Sequence, residues 1–396
     1  ISMSLRVTKP EFNIREKLNE LDRPIGVQGN NILQSNTVAQ SYSRLQAGRR
    51  NMFLNGDMKI AQRGTSTTGI TGDTFGACDR WELDLAGAGT HTMEQVGDYP
   101  YNTGFTHCSS ITCTTAQTSI SSHLAFRQKI EIGMTAGALQ GTPASKPVTL
   151  SFWVKSNEPG KYYAIIYRPR SGTDTSRMSI SYTIEQSEVW EFKTLTFPPD
   201  TMNPPPAFGT GGNSIGMEVH FTLAMNQSNY GSAHYGHWST NNAYIAKGQT
   251  NLAAATGNYW RITGAQLEIG SEHTEFDYRF YQEELALCQR FYQQIVGYSD
   301  MVCVGPGRSN GTTNAPFSVP LVTPLRRSPS LNACAWSVFT PHTQTNSSSQ
   351  TPSVTKWDPN SPILTCQLAG LSGMTNGRSL TVFLASGSTF KMDAET

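Results

Sequence analysis

The stretch of sequence that decides the fold is residues 148–155, VTLSFWVK. Val148, Leu150, Phe152 and Val154 occupy every second position of this stretch. Because successive side chains of a β-strand point to opposite faces, the alternation predicts a strand with one side in an apolar core. A strand of this kind needs neighbouring strands, so the segment predicts a sheet packed on one side.

Similar segments lie on both sides of this stretch. Turn-forming runs separate them, such as Glu158-Pro159-Gly160 and Pro198-Pro199-Asp200. The strand-like segments are residues 80–85, 126–132, 162–167, 179–185, 190–197, 217–225 and 259–269. Many short strands without helices between them predict a mainly β fold, with a jelly-roll β-sandwich over residues 51–279.

A predicted helix follows the sandwich. Residues 282–294, QEELALCQRFYQQ, place Leu285, Cys288 and Tyr292 on one face, within a connecting region at 280–294. Further strand-like segments lie at 301–305, 315–321, 334–339, 363–368 and 379–385. We therefore expect residues 295–396 to form a smaller β domain, with a polar loop at 340–356 that is exposed if this domain is the distal tip.

The N-terminal region, residues 1–50, is different in character. Ile14, Leu18 and Leu21 recur at helical spacing within residues 8–23 and form a short apolar seam. The sequence predicts a short helix followed by an extended linker. The seams of this helix and of the helix at 282–294 pack either on their own chain or on copies of themselves in an oligomer.

Composition excludes several classes of protein. Charged residues make up 15% of the chain and the formal net charge is +1, so no overall field attracts nucleic acid. No apolar run approaches the roughly 20 residues of a membrane span.

The seven cysteines have no C-x-x-C pair, so we expect buried free thiols. Free thiols are typical of a protein that folds in a reducing cytoplasm. No catalytic motif is present, so we expect no enzyme and no cofactor.

Aromatic and histidine residues provide the candidate ligand-binding positions. They are Tyr230, His234, Tyr235, His237 and Trp238 in the sandwich, with Trp336 and Trp357 in the C-terminal region. Aromatic rings stack on the C–H faces of sugars, so a glycan site is one interpretation. Packing in a core or at an interface is the other.

A calcium site is a weaker hypothesis. Asp57 in the turn Asn55-Gly56-Asp57 and Glu268 in the last strand of the sandwich are the candidate carboxylate ligands. Lys59 stands where a further acidic ligand would be needed, and its ammonium supplies positive charge without a metal ion. The alternative interpretation is a turn in which Asp57 caps backbone amides.

Two long segments resemble a known family. Residues 51–63, NMFLNGDMKIAQR, and residues 256–292, which include ITGAQLEIGS and EELALCQRFY, are similar to phage virion proteins, namely tail fibres and related adhesins. That family includes many proteins from phages of cyanobacteria and other aquatic bacteria. Asp79-Arg80-Trp81 and residues 147–163 carry the same resemblance. It covers residues 4–292 well and the last hundred residues only loosely.

The resemblance implies a fold and a set of partners. It implies a jelly roll like that of carbohydrate-binding modules, a homotrimeric fibre, and an N-terminus held by a tail tube, baseplate or collar protein. It also implies a distal part that faces a host glycan or protein. Such a virion protein would be made in host cytoplasm and released by lysis. The alternative is a purely structural baseplate, collar or capsid-associated fibre that contacts no receptor.

Overall fold

The computed structural model describes residues 49–169, 175–201, 214–226, 236–240 and 247–395. The predicted N-terminal helix, with Ile14, Leu18 and Leu21, lies outside the described residues. From Arg50 onward the chain forms a single compact unit.

Two six-stranded antiparallel sheets form the jelly-roll sandwich, which confirms the predicted fold class. Sheet I contains, in spatial order, β1 (Ser66–Ile70), β4 (Thr90–Val96), β5 (Cys108–Thr115), β12 (Tyr259–Ile269), β7 (Val148–Ser156) and β10 (Glu191–Phe197). Sheet II contains β2 (Thr74–Phe75), β3 (Glu82–Ala86), β6 (His123–Glu131), β11 (Ile215–Met225), β8 (Gly160–Pro169) and β9 (Thr175–Ile184).

The alternation in β7 works as the sequence predicts. Val148, Leu150, Phe152 and Val154 are all fully buried between the sheets. Trp81 lies at the centre of the same core, where its ring stacks on Phe126 at 4.8 Å and tilts against Phe53 at 5.1 Å and Phe221 at 6.2 Å. Burying each such side chain contributes roughly 1.5–3 kcal/mol, so this core is the main source of stability for the sandwich.

A second core lies between a three-stranded and a seven-stranded sheet in the C-terminal part of the chain. Sheet III contains β13 (Tyr292–Val296), β22 (Thr389–Asp393) and β16 (Ser330–Leu331). Sheet IV contains β18 (Gln344–Gln350), β17 (Cys334–Phe339), β21 (Ser379–Leu384), β14 (Val302–Arg308), β15 (Ala315–Pro320), β20 (Ile363–Leu368) and β19 (Ser353–Lys356). Trp336 lies in this core with its ring 5.0 Å from Phe390 and 5.8 Å from Phe317.

The prediction of a loop at 340–356 is wrong. Residues Gln344–Gln350 and Ser353–Lys356 are strands β18 and β19, which form the two edges of sheet IV. Their side chains are Ser, Thr, Gln and Asn with few apolar positions, since most of them face solvent. An edge strand whose side chains are mostly polar and solvent-facing has little apolar alternation, so its sequence does not distinguish it from a polar loop.

The helix predicted at 282–294 is too long. A four-residue helix, α1, spans Ile132–Thr135, and the predicted helix, α2, spans Tyr281–Gln289. The chain then enters β13, which pairs with β22, because backbone pairing and burial of Tyr292 override the helical pattern. Among the described residues, no helix is long and apolar enough to cross a membrane.

A buried cluster of polar groups joins the first and last segments of the sandwich. We call it the closing cluster; its members are Asn51, Phe53, Asn55, Arg279 and Glu284. Arg279 donates from Nη1 to the carbonyl oxygen of Phe53 at 3.0 Å and from Nη2 to that of Asn51 at 2.6 Å. Nη1 also lies 3.2 Å from both Glu284 carboxylate oxygens, and Glu284 accepts from the backbone N–H of Asn55 at 2.6 Å.

A second buried cluster joins the sandwich to the C-terminal sheets. Arg80 pairs with Glu395, and their side chains are 3% and 0% exposed. The Arg80 guanidinium also lies 3.5 Å from the ring centroid of Phe291, just after α2. Arg326 pairs with Glu131 at 3.2 Å, and its guanidinium lies 5.3 Å from the ring centroid of Phe291. This cluster therefore orients the two cores relative to each other through paired charges.

Substituting Arg279 with Leu should destabilise the protein by about 3–5 kcal/mol, because it leaves the Glu284 carboxylate buried without its cation. Urea unfolding of both proteins measures this difference. Arg327→Leu, at an exposed position, is the matched control and should change stability by less than about 0.5 kcal/mol. Equal effects from the two variants would contradict the assigned role of the closing cluster.

The turn at Gly56 provides a second test of the same closure. A Cβ atom at Gly56 would lie 2.2 Å from the carbonyl oxygen of Ala265 in β12, so the backbone would have to move. We expect Gly56→Ala to destabilise the protein by about 1–3 kcal/mol. Gly72 has nothing within 4 Å of its Cβ position, so Gly72→Ala should be neutral or slightly stabilising in the same urea experiment.

Candidate functional site

The outer side of sheet II carries aligned charged side chains. In the strand register, Arg127 of β6 lies between Glu82 of β3 and His220 of β11. In the next row, Glu218 of β11 lies between Lys129 and Tyr167. We call this surface the polar face; its members are Glu82, Asp84, Arg127, Lys129, Tyr167, Glu218 and His220.

Arg127 is the centre of the polar face. Its Nε donates to Glu82 at 2.8 Å, and its Nη1 donates to Asp84 at 2.6 Å. Its Nη2 reaches Asp73, at the margin of the face, at 3.4 Å. Lys129 adds a second cation, 3.0 Å from Glu82. The planar guanidinium presents donors in fixed directions, so it holds the two carboxylates of β3 in a defined arrangement.

Two histidines extend the network. His123 Nε2 lies 3.0 Å from one Asp84 carboxylate oxygen, and His220 Nδ1 lies 3.6 Å from the other. His220 Nε2 is 3.1 Å from Glu218. Each carboxylate of this group is therefore shared between cationic or potentially cationic neighbours.

These neighbours lower the pKa of two carboxylates. Burial alone would raise the pKa of Asp84, but the hydrogen bond from His123 and the charge of Arg127 bring it well below its ordinary value. The pKa of Glu218 is lowered for the same kind of reason, with His220 as the main partner opposing burial. Both groups are therefore ionised at neutral pH.

An aromatic ring and a further cation border the network. The Arg177 guanidinium lies 4.6 Å from the ring centroid of Tyr167, and Tyr167 is 6.2 Å from the ring of His220. Ser239 forms a bridge with Arg177, so the short segment 236–240 lies against the edge strand β9. The polar face thus combines a ring with donors and acceptors at fixed positions.

The predicted aromatic positions fall in different surroundings. His237 is exposed, and Trp238 packs partly against the sandwich core while its Nε1 donates to the carbonyl oxygen of Pro198 at 2.7 Å. Both lie in the segment next to Arg177. Tyr230, His234 and Tyr235 lie outside the described residues.

The two C-terminal tryptophans belong to the second core. Trp336 is 1% exposed and its Nε1 donates to the carbonyl oxygen of Gln350 at 2.9 Å. Trp357 packs on the same core and donates to the carbonyl oxygen of Leu325 at 3.2 Å. The ring of Trp336 is thus closed to a ligand, and packing is the interpretation that its position supports.

The two candidate calcium ligands, Asp57 and Glu268, each bind a different protein group. The Asp57 carboxylate lies 2.8 Å from the Lys59 ammonium. The ammonium supplies the positive charge that a metal ion would otherwise supply. Glu268 accepts from the backbone N–H of Thr274 at 2.8 Å and from its hydroxyl at 2.7 Å. In the described part of the chain, no cluster of three or more histidine, cysteine or acidic residues is arranged to hold a metal ion.

The residues proposed for an oligomer contact at 282–294, of which Tyr292 belongs to β13 instead of α2, are mostly internal. Cys288 is 1% and Tyr292 is 2% exposed, so the chain itself covers both side chains. Leu285 is half-buried. The helical face therefore packs on its own chain, which is one of the two alternatives that the sequence leaves open. Six of the seven cysteines are buried as expected, whereas Cys303 is exposed.

Sequence reasoning missed the polar face. Its signal is the set of charged residues that alternate with apolar ones, as in Glu218-x-His220 within Ile215–Met225. Alternation of this kind marks the core side of a strand but does not distinguish a solvated outer side from a paired network. The sequence does not show that Arg127 would meet carboxylates from three other parts of the chain.

Comparisons with known proteins give weak likenesses. No family model matches the chain, and no curated protein matches it. The tailspike protein 4 enzymatically active domain of bacteriophage CBA120 aligns at 14% identity and a TM-score of 0.31, over 55% of this chain and 21% of that chain. This chain therefore spans about a fifth of the tailspike chain it matches.

Carbohydrate-binding modules are among the other similar structures. The family 11 module of the cellulosomal cellulase Lic26A-Cel5E of Clostridium thermocellum aligns at 10% identity and a TM-score of 0.27, over 56% of this chain and 96% of the module. The module TmCBM61, in complex with β-1,4-galactotriose, aligns at 11% identity and a TM-score of 0.26, over 56% of this chain and 99% of the module.

The lowered pKa of Asp84 predicts a pH-dependent stability. Because the folded pKa lies below the unfolded value of about 3.9, the stabilisation is complete well above that pH and is lost as pH falls through the folded pKa. Asp84→Asn should therefore cost about 1.5–3 kcal/mol at pH 7. The difference from the unsubstituted protein should shrink progressively below about pH 4.

Urea unfolding at pH 7 and at pH 3 measures this effect. Asp358→Asn, at an exposed position where the amide oxygen can still accept from the backbone N–H of Asn360, is the control and should have little effect at either pH. An Asp84→Asn difference that stays constant between the two pH values would indicate a packing defect instead of lost charge pairing.

Proposed function

We propose that this chain is a structural protein of a bacteriophage particle, of the tail-fibre type, which attaches the particle to a glycan on the host surface. The resemblance of residues 51–63 and 256–292 to tail fibres and adhesins supports the virion assignment. The polar face of sheet II is the observation that carries the binding assignment. Its half-buried Arg127, Lys129 and Tyr167 present donors and a ring on a rigid sheet, and the carboxylates and the histidine next to them are buried.

The geometry of the polar face suits sugar hydroxyl groups. Hydrogen bonds to charged groups are shorter and stronger than those between neutral groups. Arg127 holds Glu82 and Asp84 in place before any ligand arrives, so binding costs little side-chain entropy. The Tyr167 ring supplies an apolar surface for the C–H side of a sugar next to these groups.

We further propose that the site binds without catalysis. Hydrolysis of a glycosidic bond requires a carboxylic acid with a raised pKa that protonates the leaving oxygen. Asp84 and Glu218 have lowered pKa values and are ionised at neutral pH, so neither supplies that proton. Asp73, at the margin of the face, has a pKa raised by partial burial and by the charge of Asp84, so an assay for new reducing ends tests this part of the proposal.

The remaining parts of the proposal concern assembly. We propose a homotrimer whose N-terminal region, residues 1–50, docks on a tail tube, baseplate or collar protein. The chain would be made in host cytoplasm and released by lysis, without nucleic acid as a partner and without membrane insertion. Six buried thiols are compatible with folding in a reducing compartment, and the formal net charge of +1 is compatible with the absence of nucleic-acid binding.

Binding to whole cells tests the function. Fluorescently labelled protein is incubated with a panel of cyanobacteria and other aquatic bacteria, and binding is scored by flow cytometry. We expect binding to some strains, competition by surface polysaccharide purified from those strains, and at least tenfold weaker binding of Tyr167→Ala, on the order of one lost stacking contact. Tyr298→Ala is the matched control, because this ring is 78% exposed and lies between β13 and β14, outside the polar face.

Two outcomes would contradict the receptor assignment. One is that the protein binds no strain although electron microscopy places it in a virion, which favours a baseplate, collar or capsid-associated fibre. The other is that Tyr167→Ala and Tyr298→Ala bind equally well, which removes the polar face from recognition. New reducing ends released from the bound polysaccharide would contradict the absence of catalysis.

A further inference from the structure

The outer side of sheet I carries a separate group of aromatic rings. Trp153 of β7 pairs with Phe192 of the edge strand β10, and their ring centroids are 5.3 Å apart. His273, in the segment that follows β12, lies with its ring 5.2 Å from that of Phe192. Phe192 is 40% exposed, His273 is exposed and Trp153 is half-buried. We call these three rings the aromatic strip.

A polar group lies on the same side of sheet I, two residues further along its strands. Asp98 accepts from the Lys155 ammonium at 2.9 Å, from the Trp190 indole N–H at 3.0 Å and from the Arg261 guanidinium. The Arg261 guanidinium also lies 4.3 Å from the ring centroid of Tyr259. These donors outweigh the effect of burial and lower the pKa of Asp98, which keeps it ionised.

The charges around the strip have both signs, and Glu188 near Tyr259 and Glu272 next to His273 add negative charge to those of Asp98 and Glu94. Lys155 and Arg261 are opposed by Asp98, and Glu94 lies in the same row of the sheet across Ser110. An acidic polysaccharide would meet these carboxylates, and a cationic ligand would meet the two basic groups. The surroundings therefore favour an uncharged ligand that offers both an apolar side and many hydroxyl groups.

Capacity for hydrogen bonding remains after the internal pairs are made. A carboxylate has about four acceptor positions, an ammonium has three donors and a guanidinium has five. Asp98, Lys155 and Arg261 use part of these on one another. The unused positions can bond to the hydroxyl groups of a sugar unit that lies on the strip.

We propose that the aromatic strip and the Asp98 group form a second glycan-binding site, which takes a neutral hexose oligosaccharide. The C–H side of one sugar unit lies on Phe192, with the Trp153 ring beside it at a tilt of 50°, and its hydroxyl groups bond to Asp98, Lys155 and Arg261. This site lies on sheet I, opposite the polar face, so it does not depend on the glycan site proposed on sheet II.

The strip fits a glycan better than a protein. A stable protein contact buries about 800 Å² on each partner and has an apolar centre. Here the exposed rings are few, and the next outward positions on β10 are the hydroxyl side chains of Thr194 and Thr196. A narrow row of rings with a polar border matches the width of one sugar chain.

Affinity electrophoresis tests the proposal. The full chain is run in native gels that contain a neutral β-glucan, a neutral galactan or a mannan, with alginate as the acidic comparison. We expect retardation in at least one neutral gel and no greater retardation in alginate. Phe192→Ala should weaken the interaction about tenfold, on the order of one lost stacking contact, and Trp153→Ala/Phe192→Ala should abolish it.

Controls separate the strip from folding and from the polar face. Phe192 is exposed enough that its single variant keeps the core intact, which near-ultraviolet circular dichroism verifies. Tyr298→Ala should migrate like the unsubstituted chain. Tyr167→Ala, on the polar face, should keep the retardation that the strip causes.

Three results would overturn the proposal. They are equal mobility in blank and neutral-polysaccharide gels, full retardation of the Phe192→Ala variant, and loss of all retardation in Tyr167→Ala alone. The last of these would leave the polar face as the glycan site and the proposed function intact. Conversely, a strip that binds glucan while Tyr167→Ala has no effect on cell binding would contradict the role of the polar face and leave the strip in place.

Discussion

The closing cluster around Arg279 is the constraint on which the rest of the structure depends. Segment 51–55 is not part of any strand, so most of its backbone groups have no ladder partner inside the sandwich. Arg279 supplies donors for two of its carbonyl oxygens, and Glu284 supplies the acceptor for one of its N–H groups. The carboxylate and the guanidinium also neutralise each other, so the cluster buries charge and backbone together at an acceptable desolvation cost.

The closing cluster also determines where the C-terminal sheets lie. Asn55 donates to the carbonyl oxygen of Asp79 at 3.0 Å, and its own carbonyl oxygen accepts from the Trp81 indole at 3.0 Å. Arg80 lies between these two residues and reaches Glu395 near the end of the chain. The three residues of the motif Asp79-Arg80-Trp81 therefore provide a turn contact, a bond to the second core, and a ring at the centre of the first core. This explains why the segments that resemble the fibre family are far apart in sequence but adjacent in space.

The strands of the sandwich could be predicted because a core imposes a local pattern. Phe152 and Leu150 alternate with polar or outward-facing neighbours whatever the rest of the chain does, and Tyr259–Ile269 has the bounds that its alternation predicts. The edge strand Gln344–Gln350 could not be predicted, since its side chains are mostly polar and solvent-facing and show little apolar alternation. The closing cluster could not be predicted from local sequence patterns either, because Arg279 and Phe53, whose carbonyl oxygen it binds, are 226 positions apart. The same limit applies to the polar face, whose charges come from several strands.

The two outer sides of the sandwich differ in chemistry: sheet II carries paired charges that are mostly buried, and sheet I carries an exposed aromatic ring. On sheet II, Arg127 is 13% exposed at its side chain and its neighbours are already paired, so the ligand proposed for this side would meet a preorganised and largely desolvated network. Rearranging such a network is costly, which favours a ligand that fits its spacing and gives selectivity. On sheet I, Phe192 is 40% exposed. Contact with such a ring depends little on the direction of hydrogen bonds, so the site proposed there would accept ligands of different structure. Because the sheets share a single core, neither surface can move independently of the other.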